Sequence, residues 1–328
     1  MKKRLIDLRG EQPLLDIVSY GRSGPRSLTR TQREYVARTA RRTPEVVIKV
    51  SGGARTLAGV ERNLRYIARD GDLGLESDTG ENLRSKGFEA DLIRDWNLDL
   101  EARTRSTQQS VRGARKPSKL VHNLIFSMPP GTPPDLLLKA VRKLARHQFG
   151  ERHRHAMVLH TDEPHPHVHV VVKAVSEQGE RLNIRKATLR EWRQEFAANL
   201  RELGVSANAT ERAVRGANRT PKRDGVYRTE QRHESTYIRE RADQVASSLA
   251  RGDTPVDEGK ETVLKTRRAV VDGWRAVSER LHQDGHHELA AHVDRFIERM
   301  PPVRSDTDAM IDRLKGQPRE RTPPVKTR

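Results

Sequence analysis

The run His-Thr-Asp-Glu-Pro-His-Pro-His-Val-His-Val-Val-Val, residues 160–172, constrains the fold more than any other part of the chain. Residues 167–172 have the β-branched composition of a buried strand. Side chains alternate faces along a strand, so His167 and His169 share one face and Val168, Val170 and Val172 the other. The valine face requires a core to sit in. Just upstream, residues 155–160 (His-Ala-Met-Val-Leu-His) read as another strand, and the connection is short. Pro164 and Pro166 favour a bend within it. An antiparallel pair follows, and it brings His160 back beside His167 and His169.

Three imidazoles so placed can share one metal ion. Three neutral nitrogen ligands leave coordination positions open, which is the pattern of a catalytic site; a structural site is usually closed by four protein ligands. Imidazole suits Mn, Zn, Co or Ni better than Mg. The competing reading is a histidine-rich surface turn, or core histidines satisfied by hydrogen bonds. Glu163 stands close enough in sequence to serve as a fourth ligand or a base.

The remaining elements follow from periodicity and turn residues. Residues 45–50 read as a first strand, ended by Ser51-Gly52-Gly53. A helix is expected from Thr56, with Leu57, Val60, Leu64 and Ile67 on one face, Tyr66 within it and Gly71 at its end. Residues 88–100 contain a helix anchored by Trp96, and 103–119 read as an exposed loop. A second strand spans 120–127. An amphipathic helix over 134–149 turns Leu137, Leu138, Val141, Leu144 and Ala145 inward. After the strands 155–160 and 167–174, a further strand is expected near 181–184. A helix over 188–203 carries Trp192, Phe196, Leu200 and Leu203, and Gly204 ends it. Beyond a basic linker from Ala207, helices are expected near 229–249, 260–283, 288–300 and 306–314.

The pattern His160-x-Asp162-x-x-His165-Pro166-His167-x-His169, followed by valines, resembles the third motif of the HUH-type DNA relaxases. It is most similar to the mobilisation relaxases of the MOBP and T-DNA border-endonuclease kind. The order strand, Gly-Gly, helix, then Asn63-Leu-Arg-Tyr-Ile-Ala-Arg-Asp-Gly71, resembles the tyrosine motif of the same relaxases. The resemblance covers roughly residues 45–220. It implies an α+β fold, with a central, mainly antiparallel sheet flanked by helices and followed by a helical C-terminal region. It also implies a divalent metal (Mn, Mg or Zn) on His160, His167 and His169, with Tyr66 as nucleophile. The alternative for Tyr66 is a half-buried packing residue, and Tyr20 and Tyr35 rank below it. Asp162 occupies the place of a family acid and is assigned the free ring N–H of a metal histidine; a turn residue beside Pro164 is the alternative. Ser127 is expected to touch the DNA backbone or to cap its turn. His165 is expected to contact DNA or assist proton transfer. Arg65, Arg69, Lys173 and Arg185 are taken as DNA-binding. The expected division is a basic, DNA-attracting arm over 1–43, a catalytic domain over 44–220, a helical accessory region over 221–314 and a disordered tail over 315–328.

Charge agrees with a polyanionic partner. The formal net charge is +18 and the pI about 10.5, a signature shared with ribosomal proteins and basic tails. Aromatics make up 4%, too few for extensive base stacking. The absence of cysteine excludes disulfides and thiolate zinc sites. No apolar run approaches the ~20 residues of a membrane span, and no apolar signal core opens the chain. A cytoplasmic protein without membrane insertion is expected, and the resemblance adds transfer with DNA to a recipient cell. The implied reaction is attack by tyrosine on one phosphodiester of single-stranded DNA at a transfer origin. It leaves a 5′-phosphotyrosyl adduct and a 3′-hydroxyl, can be reversed without ATP, and initiates conjugative mobilisation. An accessory DNA-binding protein and a secretion coupling protein are the further partners implied. Three rivals remain: a replication initiator of the same superfamily, a non-catalytic DNA-binding accessory protein on the same fold, and a zinc hydrolase using bound water.

Overall fold

The computed structural model describes residues 16–23, 27–85, 87–102, 118–150, 152–217, 236–255, 257 and 259–315. The chain divides into two units, one of residues 43–209 and one of residues 1–42 together with 210–328. In chain order the first elements are α1 (Ile17–Ser23), α2 (Arg30–Ala40), β1 (Val47–Gly52), α3 (Leu57–Ile67), β2 (Leu75–Ser77), β3 (Asn82–Leu83) and α4 (Phe88–Asp95). They are followed by β4 (Val121–Ser127), α5 (Pro134–Gln148), β5 (His155–His160), β6 (His167–Lys173) and α6 (Lys186–Glu202). The last are α7 (Thr236–Ala250), α8 (Lys260–Gln283), α9 (His287–Glu298) and α10 (Asp306–Leu314).

The first unit is built on a six-stranded sheet of order β1-β4-β6-β5-β2-β3, every pair antiparallel. The fold is therefore α+β, with helices on both faces of the sheet. Val168, Val170 and Val172 of β6 join Leu124 and Phe126 of β4 in a core beneath α5 and α6, closed by Phe149, Trp192 and Phe196. On the other face Val121, Ala156, Val158 and Val171 meet Val60, Leu64 and Ile67 of α3 and Phe88 and Leu92 of α4. The alternation expected of β6 thus places one core under its valines and a second, shorter one under part of its other face. The α3 helix starts where the Thr56 hydroxyl accepts from the Gly59 N–H at 3.2 Å. Pro134 opens α5 at a position where its missing N–H costs nothing.

Several expectations change. The strand expected near 181–184 is a single bridge between Val175 and Arg181, because the chain turns at once into α6. The short strands β2 and β3 were not foreseen. They are two or three residues long, and only Leu75 and Ser77 are buried, so no hydrophobic alternation marks them. The basic arm is corrected as well. Its residues 17–23 and 30–40 are helices of the second unit, which also contains α8 and α9. Tyr35 and Val36 of α2 are buried with Trp274, Val277 and Phe296, while Arg30 at its start is exposed. Thr29 and Gln32 form a capping box at its start. The loop expected over 103–119 lies almost wholly outside the described residues, as do most of the linker beyond Ala217 and the tail after Lys315.

Candidate metal centre and tyrosine site

The β5–β6 hairpin does what its spacing promised. His160 pairs with His167, and Val158 pairs with His169. Directly opposed residues share a face, so all three imidazoles project to the same side. Their ring centroids are 4.6–5.1 Å apart. One nitrogen from each ring falls within 4.8 Å of the others. Bonds of about 2.1 Å to a common ion need only a small inward movement of the rings.

Two main-chain carbonyls orient these rings. A carbonyl only accepts, so the nitrogen facing it carries the proton. His160 donates from Nε2 to the Ile67 oxygen at 2.7 Å, which leaves Nδ1 with its lone pair. His167 donates from Nδ1 to the His165 oxygen at 3.1 Å, which leaves Nε2 free to ligate. Burial, then the neighbouring His160 and His167, pull His169 down to about 4. Burial lowers His160 too. Neutral rings with free lone pairs are what a borderline-soft divalent ion requires, so the donor set fits such a metal.

Tyr66 lies in the last turn of α3 and is 64% exposed, while Val60, Leu64 and Ile67 hold the helix down on the sheet. The residue after it supplies the carbonyl that orients His160. A tight turn follows, in which Arg69 and Asp70 adopt φ of 51° and 57°. Few residues other than glycine take this conformation. It sets the Arg69 guanidinium 5.7 Å from the centre of the Tyr66 ring and in an ion pair with Asp162. The α3 helix is also fixed to β4 by two reciprocal amide hydrogen bonds between Asn63 and Asn123, at 3.0 and 2.7 Å. Ser127 pairs with His167, so it stands on the histidine face at the end of β4.

Other expected residues fall into place differently. Asp162 is paired with Arg69, and its Oδ1 is 3.8 Å from His160 Nδ1, beyond a hydrogen bond. The His160 ring N–H goes to the Ile67 carbonyl instead. Arg65 bonds the buried carboxylate of Glu89 on α4 at 3.1 Å, an attachment of helix to helix. Lys173 is buried between Glu177 at 2.9 Å and Glu101 at 3.4 Å. It sits six residues along β6 from His167, about 20 Å away. Arg185 is exposed at the start of α6, on the far face of the sheet. His165 is exposed and contributes its carbonyl to the group. The Ile67 carbonyl, Asn63 and Asn123 were not anticipated. A main-chain acceptor has no residue-type signal, and an Asn pair 60 residues apart leaves none in local spacing.

No helix among the described residues is long and apolar enough to cross a membrane. Residues 66–205 match the family model described as relaxase, MobA/VirD2-like, nuclease domain. The T-DNA border endonuclease VirD2 of Agrobacterium fabrum is 26% identical over 228 residues, covering 64% of this chain and 49% of that protein. Its counterpart from Rhizobium rhizogenes is 26% identical over 223 residues, covering 64% and 50%. That from Rhizobium radiobacter is 26% identical over 194 residues, covering 54% and 44%. The chain spans about half the length of these curated relatives.

Proposed function

We propose, with a relaxase nuclease domain of the MobA/VirD2-like kind over residues 66–205 as the premise, that the chain nicks one DNA strand at a transfer origin and can rejoin it. Between the two steps the cut end is held as a 5′-phosphotyrosyl ester on Tyr66. The observation that carries this reading is the bond from His160 to the Ile67 carbonyl, which ties the helix of Tyr66 to the three imidazoles. The phenolic oxygen attacks the phosphorus of the scissile diester and the P–O3′ bond breaks. The proton lost by the phenol is balanced by the one the 3′ oxygen gains as it leaves as a hydroxyl. The new ester keeps the energy of the bond it replaced, so attack by the 3′-hydroxyl reseals the strand without ATP. Arg69, 5.7 Å from the centre of the Tyr66 ring, adds positive charge that favours the phenolate. A divalent ion held by His160, His167 and His169 would draw charge from the non-bridging phosphate oxygens, the main need in phosphoryl transfer. Mn and Zn suit these nitrogen ligands better than Mg. Ser127, paired with His167, and the exposed His165 would offer contacts to the strand. Conjugative mobilisation, with an accessory DNA-binding protein and a secretion coupling protein, is the process in which such a reaction would serve.

The test uses supercoiled DNA carrying the flanking region of the chain's own element, with Mn²⁺, and wild type beside Tyr66→Phe. Wild type is expected to leave protein attached to a 5′ end after denaturation, and Tyr66→Phe to leave none while still binding DNA. An adduct that survives Tyr66→Phe removes Tyr66 from the role. Specific binding with no adduct in wild type sinks the reaction and favours a clamp.

A further inference from the structure

The helical unit contains a second concentration of positive charge that the reaction does not use. The end of α2 and the outer face of α9 border a cleft of about 300 Å³, lined by Ala40, Arg41, Arg42, His292, Arg295, Phe296 and Arg299. Four of these seven residues are arginines and none is acidic. The larger cleft of the sheet unit differs, since Glu76 and Asp78 line it with its arginines.

The four guanidiniums are not equivalent. Arg42 donates to the Arg299 carbonyl at 2.8 Å and lies 6.0 Å from the centre of the Phe296 ring. It satisfies a carbonyl at the end of α9 and lines the cleft. Arg41 reaches Glu288 only at 3.9 Å, with the two side chains 58% and 85% exposed, a pair worth little in water. Arg295 lies 3.1 Å from His292 Nδ1. Arg295, in the last turn of α9, and Arg299, its C-cap, are exposed and four residues apart. Like charges at this spacing destabilise a bare helix, and a bound polyanion removes that cost. Planar, fork-shaped donors grouped around a cleft suit the oxygens of phosphodiesters.

We infer that this cleft, at Arg41, Arg295 and Arg299, is a phosphate-binding site that holds the backbone of duplex DNA beside the cleaved segment. The inference rests on the reading of DNA as substrate. It assigns to the helical unit an anchoring role that needs neither the tyrosine nor the histidines. The contacts go to phosphates, so they confer affinity without reading sequence.

The experiment compares full-length wild type with the double variant Arg295→Ala/Arg299→Ala and the charge-keeping Arg295→Lys/Arg299→Lys. Affinity for a fluorescent duplex is measured between 50 and 200 mM salt, and adduct formation on a short single strand spanning only the nick site is measured in parallel. Each phosphate that a variant no longer neutralises lowers the slope of log affinity against log salt by about 0.9 on duplex DNA. The alanine variant is therefore expected to lose about tenfold less affinity than wild type over this salt range. The lysine variant keeps most of the slope, and adduct formation on the short strand is unchanged in both. An unchanged slope in the alanine variant overturns the inference. So does an unchanged slope accompanied by lost sedimentation with phosphatidylserine vesicles, which would assign the cleft to a lipid surface. A slope lost equally in both variants, with a lowered melting temperature, would mean that the helical unit had been damaged and would also overturn it. Failure of the strand-transfer reading appears separately, as absence of the wild-type adduct.

Discussion

At the scale of single residues, proton placement separates the site from its surroundings. Asp162 and the Ile67 carbonyl compete for the role of acceptor to His160, and the carbonyl has it at 2.7 Å. Loss of such an orienting acceptor typically costs about 10–100-fold in metal affinity. Asp162→Ala is accordingly expected to change Mn²⁺ affinity by less than tenfold in calorimetric titration; a loss within the larger range would restore the role to the aspartate. His122 on β4 behaves differently from the metal-facing histidines. Both its ring nitrogens are buried without a partner. Burial, then Lys119, Arg181 and His153, lower it to about 4. An unfolded imidazole titrates near 6.5, so between these values the unfolded chain binds a proton that the folded chain refuses. Stability must fall as pH drops from about 6.5 towards 4, with His122 contributing up to about 3 kcal/mol of the fall. Urea denaturation across that window should show a shallower decline for His122→Leu. An identical decline would mean that His122 is not the titrating group. At this scale the histidine trio was legible because it is local, two residues apart on one strand and one hairpin turn away. Arg65 and Lys173 were not, since a cation committed to Glu89 or to Glu101 and Glu177 looks in sequence like one free to meet DNA.

At the scale of elements, α3 matters most, because it carries Tyr66 and must hold a fixed height over β4. Its apolar stripe supplies adhesion, and the Asn63–Asn123 pair supplies register. Removing one amide leaves the other partly buried and unsatisfied, at a cost of about 1–3 kcal/mol. Asn123→Ala should cost that much in chemical denaturation, and Asn63→Ala a similar amount. The double variant should cost clearly less than their sum, and strict additivity would mean that the two side chains do not interact. Helices with strong periodicity and clear stops were read closely: the expected spans 260–283 and 306–314 match α8 and α10. The strands β2 and β3 went unread because strands of two or three residues have no face to display.

At the scale of the molecule, the chain returns on itself. The helix α1 packs on α8, more than 240 residues later, at a close crossing of two glycines. A Cβ on Gly21 would lie 2.9 Å from the Gly273 Cα, and one on Gly273 would lie 2.1 Å from the Ile17 carbonyl oxygen. Helix propensity alone makes Gly273→Ala stabilising by roughly 1 kcal/mol. The crossing predicts the opposite sign, with a lower melting temperature and faster tryptic cleavage within residues 17–42. A stabilised variant would refute the close contact.

The sequence alone determined the alternating faces of β6, the hairpin that gathers His160, His167 and His169, and the helix that carries Tyr66. These depend on periods of two and 3.6 residues and on turn residues, all of which act within a few positions. Tertiary structure decided which carbonyl holds His160, which cations are already paired, and that the helices of residues 17–40 share one unit with those of residues 260–298. Those outcomes turn mostly on contacts between residues 24 to about 250 positions apart. Their energy comes from burial and exact placement in space, and no spacing along the chain records it.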